Sequence, residues 1–329
     1  MPEHRLIRLL KNLESEKQGG TILSKFDNKW EKEVLEIADG IRMRVFKFTV
    51  EQNGGYLSQA CSAAETFGAL YHGLMKLPKI AKPLLPDPWQ GVPGHGNPIH
   101  TGIKFNSDGK EGYDRFIMSP AQYALVVYAT LIETGRMDES GMAAYNKDGG
   151  SVEMIGAEHS PGMEVTTGSL GQGISQASGI ALAYKLKKKK GKIFTFLSDG
   201  ECQSGEFWEA IQAASFHKLD NLIMVIDRNG CQCDGLMKPV MEIEPFDERF
   251  RSFGCVCVRI KGHKPLALAE ALKTPHRGRP LVVITDTSPY HGLPFLKERS
   301  PKFHYVRFTD GKQREEYRKI YEKMKKERD

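Results

Sequence analysis

Short apolar runs alternate with helix-spaced stretches through the second half of the chain, and this restricts the fold more than any other feature. Residues 193–198, 222–227, 255–260 and 281–285 read as strands, and residues 169–189, 206–217 and 265–272 as helices. Strands alternating with helices build an α/β fold, a parallel β-sheet with helices on both faces. Ligands of such sheets bind beyond the carboxyl ends of the strands. The search for chemistry therefore starts at the residues that follow each apolar run.

Two strand ends carry metal-type donors. Asp199-Gly200 follows the run Ile193 to Leu197, and Asn229 follows Leu222 to Ile226. A carboxylate and a carboxamide at neighbouring strand ends can converge, and such hard oxygens suit Mg2+ or Ca2+. A strand-end Asp-Gly is by itself an ordinary turn, and the second strand-end Asn-Gly raises the metal reading above it. Gly168-Ser-Leu-Gly171-Gln-Gly173 at a helix start offers exposed N–H groups to an anion, or simply a close-packed cap. Its spacing is neither the dinucleotide fingerprint nor a P-loop. The histidines His95, His100, His159, His263, His291 and His304 are scattered, and no pattern singles one out.

Upstream, helices are expected over 27–40, 58–77 and 121–134, with a Pro- and Gly-rich loop over 78–112. Loops of that length are functional or disordered more often than structural. Arg5 to Leu13 reads as a short basic amphipathic helix, and Lys312 to Asp329 as a charged helix that is solvated or faces a partner. The expected division is a helical extension over 1–50, the main domain over 51–311 and the charged helix over 312–329.

Composition narrows the function classes. With 329 residues, 40% of them hydrophobic, the chain can bury a large core, and its charge of +6 suits anionic small molecules. Nucleic-acid binding would need a concentrated basic patch. Lys187 to Lys190 is the one lysine run, placed where a helix should end, and reads as a solvated helix terminus. No stretch is long and apolar enough to span a membrane. The first residues lack the apolar core of a signal peptide, so a cytoplasmic location is expected. The pairs Cys231/Cys233 and Cys255/Cys257 invite a zinc reading, but Cys-x-Cys in a strand only puts two thiols on one face, and reduced thiols are expected.

Several of these segments resemble one family. Glu164-Val-Thr-Thr-Gly-Ser-Leu-Gly-Gln-Gly173 and Ser198-Asp-Gly-Glu-Cys-Gln-Ser-Gly-Glu-Phe-Trp-Glu-Ala210 are similar to the thiamine-diphosphate segments of transketolases. Lys218-Leu-Asp-Asn-Leu-Ile223, Asp227-Arg-Asn-Gly-Cys-Gln-Cys-Asp-Gly235 and Asp114-Arg-Phe-Ile-Met-Ser119 extend the match. The resemblance covers roughly residues 50 to 310 and lacks the pyrimidine-binding and C-terminal domains of a full transketolase. It implies the N-terminal subunit of a split transketolase, in which residues 51–311 form the thiamine-diphosphate-binding domain.

What the resemblance implies can be stated residue by residue. Asp199, Asn229 and the Cys231 carbonyl would ligate Mg2+ (or Ca2+). Gly200 would offer its N–H to the diphosphate, with Glu201 in the same motif. Gly168, Ser169 and Leu170 would border the aminopyrimidine, and Glu209 would support the activating glutamate across a subunit interface. The partner would be a C-terminal transketolase-like subunit in an α2β2 heterotetramer, and the substrates sugars or sugar phosphates. The activity would be transfer of a two-carbon ketol unit. Tyr56 and Gln122 stand where the family has histidines, and Ser204 where it has a glutamate. His159 is a displaced substitute or an unrelated residue, and His304 matches the family's Trp-His-Gly histidine. Gly54-Gly55-x-Leu-Ser-x-Ala is also similar to the homodimeric pyruvate dehydrogenase E1 component. Decarboxylation of a 2-oxo acid, acyloin formation, or a non-catalytic assembly role are the alternatives.

Overall fold

The structure, a computed structural model, describes residues 25–98 and 100–328; the expected helix at Arg5 to Leu13 lies outside them. Its centre is a sheet of five parallel strands: β1 (Arg115–Met118), β2 (Ile193–Ser198), β3 (Leu222–Arg228), β4 (Val256–Lys261) and β5 (Leu281–Asp286), in the order β1-β2-β3-β5-β4. The α/β fold expected from the alternating pattern is the one observed.

Strand periodicity divides the core. Phe194, Phe196, Ile223, Val225, Leu281 and Val283 face one hydrophobic cluster, while Ile193, Leu197, Leu222, Met224, Val282 and Ile284 face the other. Successive side chains point to opposite faces of a strand, so a continuous apolar run feeds both layers. The first layer is made by α1 (Asn28–Glu51), α2 (Leu57–Ala69), α3 (Ala124–Glu133), α7 (Pro265–Ala271) and α8 (Gly311–Arg328). The second is made by α4 (Gln172–Leu186), α5 (Gly205–Phe216) and α6 (Phe246–Ser252).

Both ends of the described chain belong to this core. Asp27 caps α1 by accepting from the Trp30 N–H at 2.9 Å. The buried face of α1 (Val34, Ala38, Ile41, Val45, Phe46) then packs on α2 and α3. The part of 1–50 that is described is thus a core helix rather than an extension. The charged tail is likewise docked: Tyr317 is buried between Phe46, Phe295 and Phe308, and Tyr321 meets Phe46 edge-on at 5.6 Å. Its Lys and Glu residues occupy only the outer side, which is why its composition suggests a solvated helix.

Candidate active site

Asp199 directly follows β2 and Asn229 follows β3, two neighbouring strands paired with Ser198 opposite Asp227. Register alone brings the two motifs to one edge. Asp199 is 1% exposed, and its carboxylate accepts from the Gly200 N–H at 2.9 Å and from the Gly230 N–H at 2.7 Å. The Asn229 carboxamide nitrogen donates to Asp227 at 3.1 Å, and its oxygen accepts from the Cys231 N–H at 2.9 Å.

Asp227 is the hub beneath. Fully buried, it accepts from Ser62 at 2.5 Å and Tyr123 at 2.8 Å, as well as from Asn229 and Thr287. No role attaches to these hydroxyls in the sequence, because they come from α2, the turn before α3 and the segment after β5. A strand-terminal acid beside a metal-type asparagine is the only signal available there.

The glycine turn sits beside this edge. Glu164 holds its start: the carboxylate pairs with Arg115 and accepts from the Phe116 N–H and the Asn106 amide, both at 3.0 Å. Gly171 begins α4 with φ of 91°, and a Cβ there would meet Ser204 Oγ at 2.7 Å. Glu201 is buried and spends its carboxylate on Ser119, the Gly171 N–H at 3.2 Å and the Ser198 N–H at 3.0 Å. It therefore braces the turn from behind. Burial raises its carboxyl above the ordinary range.

These elements open into a cavity of about 330 Å³. Its wall includes Leu170, Gly200, Asn229, Cys231, Gln122 and His304, six of the residues anticipated from sequence. Tyr56 is half-buried and meets His304 edge-on at 5.4 Å. Gly168 and Ser169 lie in the same turn as Leu170, and Glu209 is exposed on α5. His159 is not gathered with them. It pairs with Glu153 at 3.1 Å and lines a separate cavity with Trp89 and His100. It lies in the irregular segment between α3 and α4, which has no periodicity to place it and holds it away from the strand ends.

The site fits a divalent cation and an anion. Burial, followed by the charge of Asp227, pushes the Asp199 carboxyl up to about 8, and a cation would relieve that cost. The Gln232 amide nitrogen, on the same cavity wall, is buried with no acceptor and would satisfy a diphosphate oxygen. The donor set of carboxylate, carboxamide and carbonyl oxygens matches Mg2+ or Ca2+. Burial and the charges of Asp199 and Asp227 push the Cys231 thiol up to about 12, so it stays protonated and is no thiolate ligand. All six cysteines are unpaired, and none joins a zinc cluster among the described residues.

One other cluster has metal-like spacing: Glu65, His263 and His291. His263 Nε2 accepts from the Ser288 N–H at 2.9 Å, so its Nδ1 carries the proton and donates to Glu65 at 3.0 Å. No lone pair on that ring is left for a metal. The buried Arg42 completes the group, which is an ion-pair cluster that joins α1 and α2 to the segments after β4 and β5.

A helix-backed parallel sheet with an oxygen-lined cavity at its strand ends is the setting of a cofactor-binding domain. The family model "Transketolase, thiamine diphosphate binding domain" matches residues 105–304. The chain belongs to the transketolase family, whose members are transferases.

A transketolase family protein of Sinorhizobium fredii is 39% identical over 201 residues, 60% of this chain and 72% of that protein. An apulose-4-phosphate transketolase subunit of Actinobacillus succinogenes is 32% identical over 58% of this chain and 70% of its own length. The 6-deoxy-6-sulfo-D-fructose transketolase subunit of a Clostridium species is 28% identical over 80% of this chain and 89% of its own. Among solved structures, the Campylobacter jejuni transketolase superposes with a TM-score of 0.62 at 22% identity, covering 80% of this chain and 38% of that one. The chain thus spans well under half the length of that transketolase.

Proposed function

We propose that this chain is the cofactor-holding subunit of a two-component transketolase that moves a two-carbon ketol unit from a ketose or ketose phosphate to an aldehyde. The observation that carries the proposal is the meeting of Gly200, Asn229 and Leu170 of the braced turn at one cavity that His304 also lines, with Asp199 bonded to the Gly200 and Gly230 N–H groups behind it. Asp199, Asn229 and the Cys231 carbonyl would hold Mg2+ or Ca2+, and Gly200 and Gln232 would face the diphosphate. When bound, thiamine diphosphate supplies the carbon nucleophile and the electron sink for cleaving and forming the carbon–carbon bond.

The chain's own residues bind and orient. Burial lowers the His304 imidazole below its usual value. At neutral pH it faces the cavity uncharged, able to donate one hydrogen bond and accept another. Gln122 on the same wall, and Tyr56 packed edge-on against His304, are also neutral, so this wall positions a substrate without placing charge on it. Exposed Glu209 on α5 suits contact with a complementary subunit, in an α2β2 assembly, that supplies the pyrimidine-binding domain. Six unpaired thiols suit the reducing cytoplasm, and no helix among the described residues is long and apolar enough to cross a membrane.

Mixing the chain with its complementary subunit, thiamine diphosphate and Mg2+ tests this reading. Ketol transfer from a ketose is expected from the mixture and from neither component by itself. Consumption of pyruvate without turnover of any ketose would replace it with the 2-oxo acid reading.

A further inference from the structure

The cavity has a second chemical face, built from α2 and the turn before α3 and not from the strand ends. On this face three lining residues hold a buried polar atom without any partner, Ser58 Oγ, Gln59 Oε1 and Gln122 Oε1, and Gln232 Nε2 is the fourth such atom on the cavity. Ser58 and Gln59 are each 5% exposed and lie in the first turn of α2, while Gln122 lies in the turn before α3. Buried polar atoms are nearly always paired, so three orphans on one wall point to an absent ligand.

The chemistry of that ligand follows from the atoms. The Gln59 amide nitrogen donates to the His304 carbonyl at 3.1 Å, which fixes its oxygen toward the unpaired side. A carboxamide oxygen accepts and cannot donate. Phosphate, carboxylate and carbonyl oxygens therefore cannot satisfy it, whereas a hydroxyl or an N–H can. Among the described residues no lysine or arginine lines the cavity, so this wall has no cation to offer an anionic group. Tyr123, also on the wall, already gives its hydroxyl proton to Asp227.

Building on the ketol-transfer reading, we propose that Ser58, Gln59 and Gln122 form a neutral wall, with Gln59 Oε1 as its fixed acceptor, that reads the hydroxyl groups of an uncharged polyol stretch of the sugar. With no lysine or arginine on it, this wall does not hold a phosphate or other anionic end of the substrate. The wall is specificity-determining: it favours substrates that carry hydroxyls at the positions it meets.

The test uses the assembled two-subunit holoenzyme, a ketose donor and a series of deoxyketoses, each lacking one hydroxyl beyond C2. Wild type should prefer the fully hydroxylated donor. Gln122→Leu, which removes no hydrogen bond made within the protein, should lower kcat/KM for that donor about tenfold, mainly through KM. Its preference over one deoxyketose should fall to near unity, with the half-saturating thiamine diphosphate concentration unchanged. Gln59→Leu should shift the preference at the same or an adjacent hydroxyl. Unchanged preference in both variants overturns the proposal. So does a rise in the half-saturating cofactor concentration with donor KM constant, which would assign the wall to the cofactor's amino group. Wild type inert toward every ketose sinks the ketol-transfer reading, and the wall with it, before any variant is made.

Discussion

The Asp199 carboxylate accepts a hydrogen bond from the Gly230 N–H at 2.7 Å, across the gap between two parallel strands. This bond fixes the turn that carries Asn229 and Cys231 against the end of β2. Metal-type donors separated by thirty residues in sequence are locked into one edge before any ligand arrives. Asp227 holds Asn229 from below, and Glu201 holds the glycine turn from the side.

The Cys231 thiol makes only a long contact with the Asn229 carbonyl, at 3.6 Å. Cys231→Ala should leave thiamine diphosphate and Mg2+ affinity of the two-subunit complex within about twofold, since the proposed metal ligand is its backbone carbonyl. Calorimetric titration of the holo complex checks this; a large loss would assign a role to the thiol.

Gly171 is the reverse case. Its φ of 91° is open to glycine, and a Cβ there would press on Ser204. Gly171→Ala should destabilise the chain by about 1–3 kcal/mol and weaken cofactor binding further. Denaturant unfolding and the same titration read the two effects separately.

Glu65 gives a pH signature. Burial alone would raise its carboxyl, but hydrogen bonds to His263 and His291 and the charge of Arg42 win and hold it well below its ordinary 4.5. A depressed carboxyl contributes stability that is fully present above its unfolded value and is lost as pH falls toward the folded one. Glu65→Gln leaves Arg42 buried without its counter-charge and should cost about 3–5 kcal/mol at neutral pH. The gap between variant and wild type should narrow only below about pH 4.5, as measured by denaturant unfolding across pH.

The C-terminal helix is part of the core. Tyr317→Ala removes the aromatic ring that Phe46, Phe295 and Phe308 enclose and should cost about 3 kcal/mol. Glu315→Ala, on the outer face, should change stability by less than about 0.5 kcal/mol. Equal effects of the two substitutions would contradict the docked helix.

The strands β2 to β5 are legible in the sequence because each is a run of apolar residues bounded by turn residues, and the strand-end pair is legible because it follows two of those runs. β1 carries a motif but no strand signal, since Arg115–Met118 is only four residues long and has no helix-spaced segment directly before it. α6 is hidden in a Pro-containing loop for the same reason of length. Asp227, Ser62 and Thr287 have no local pattern: the hydrogen bond from Ser62 to Asp227 spans 165 positions. The Glu65–His263 pair spans 198. Such contacts depend on topology. The place of His159, apart from the strand-end cavity, is illegible because no periodicity positions the loop before it.

The central claim is that Asp199 anchors a metal-bound thiamine diphosphate in this chain. Cofactor titration of the intact two-subunit complex, wild type against Asp199→Ala, tests it most directly. The account predicts saturable, Mg2+-dependent binding in the wild type and a loss of at least about a hundredfold in the variant, with the complex still assembled. Equal cofactor affinity in the two complexes would contradict it.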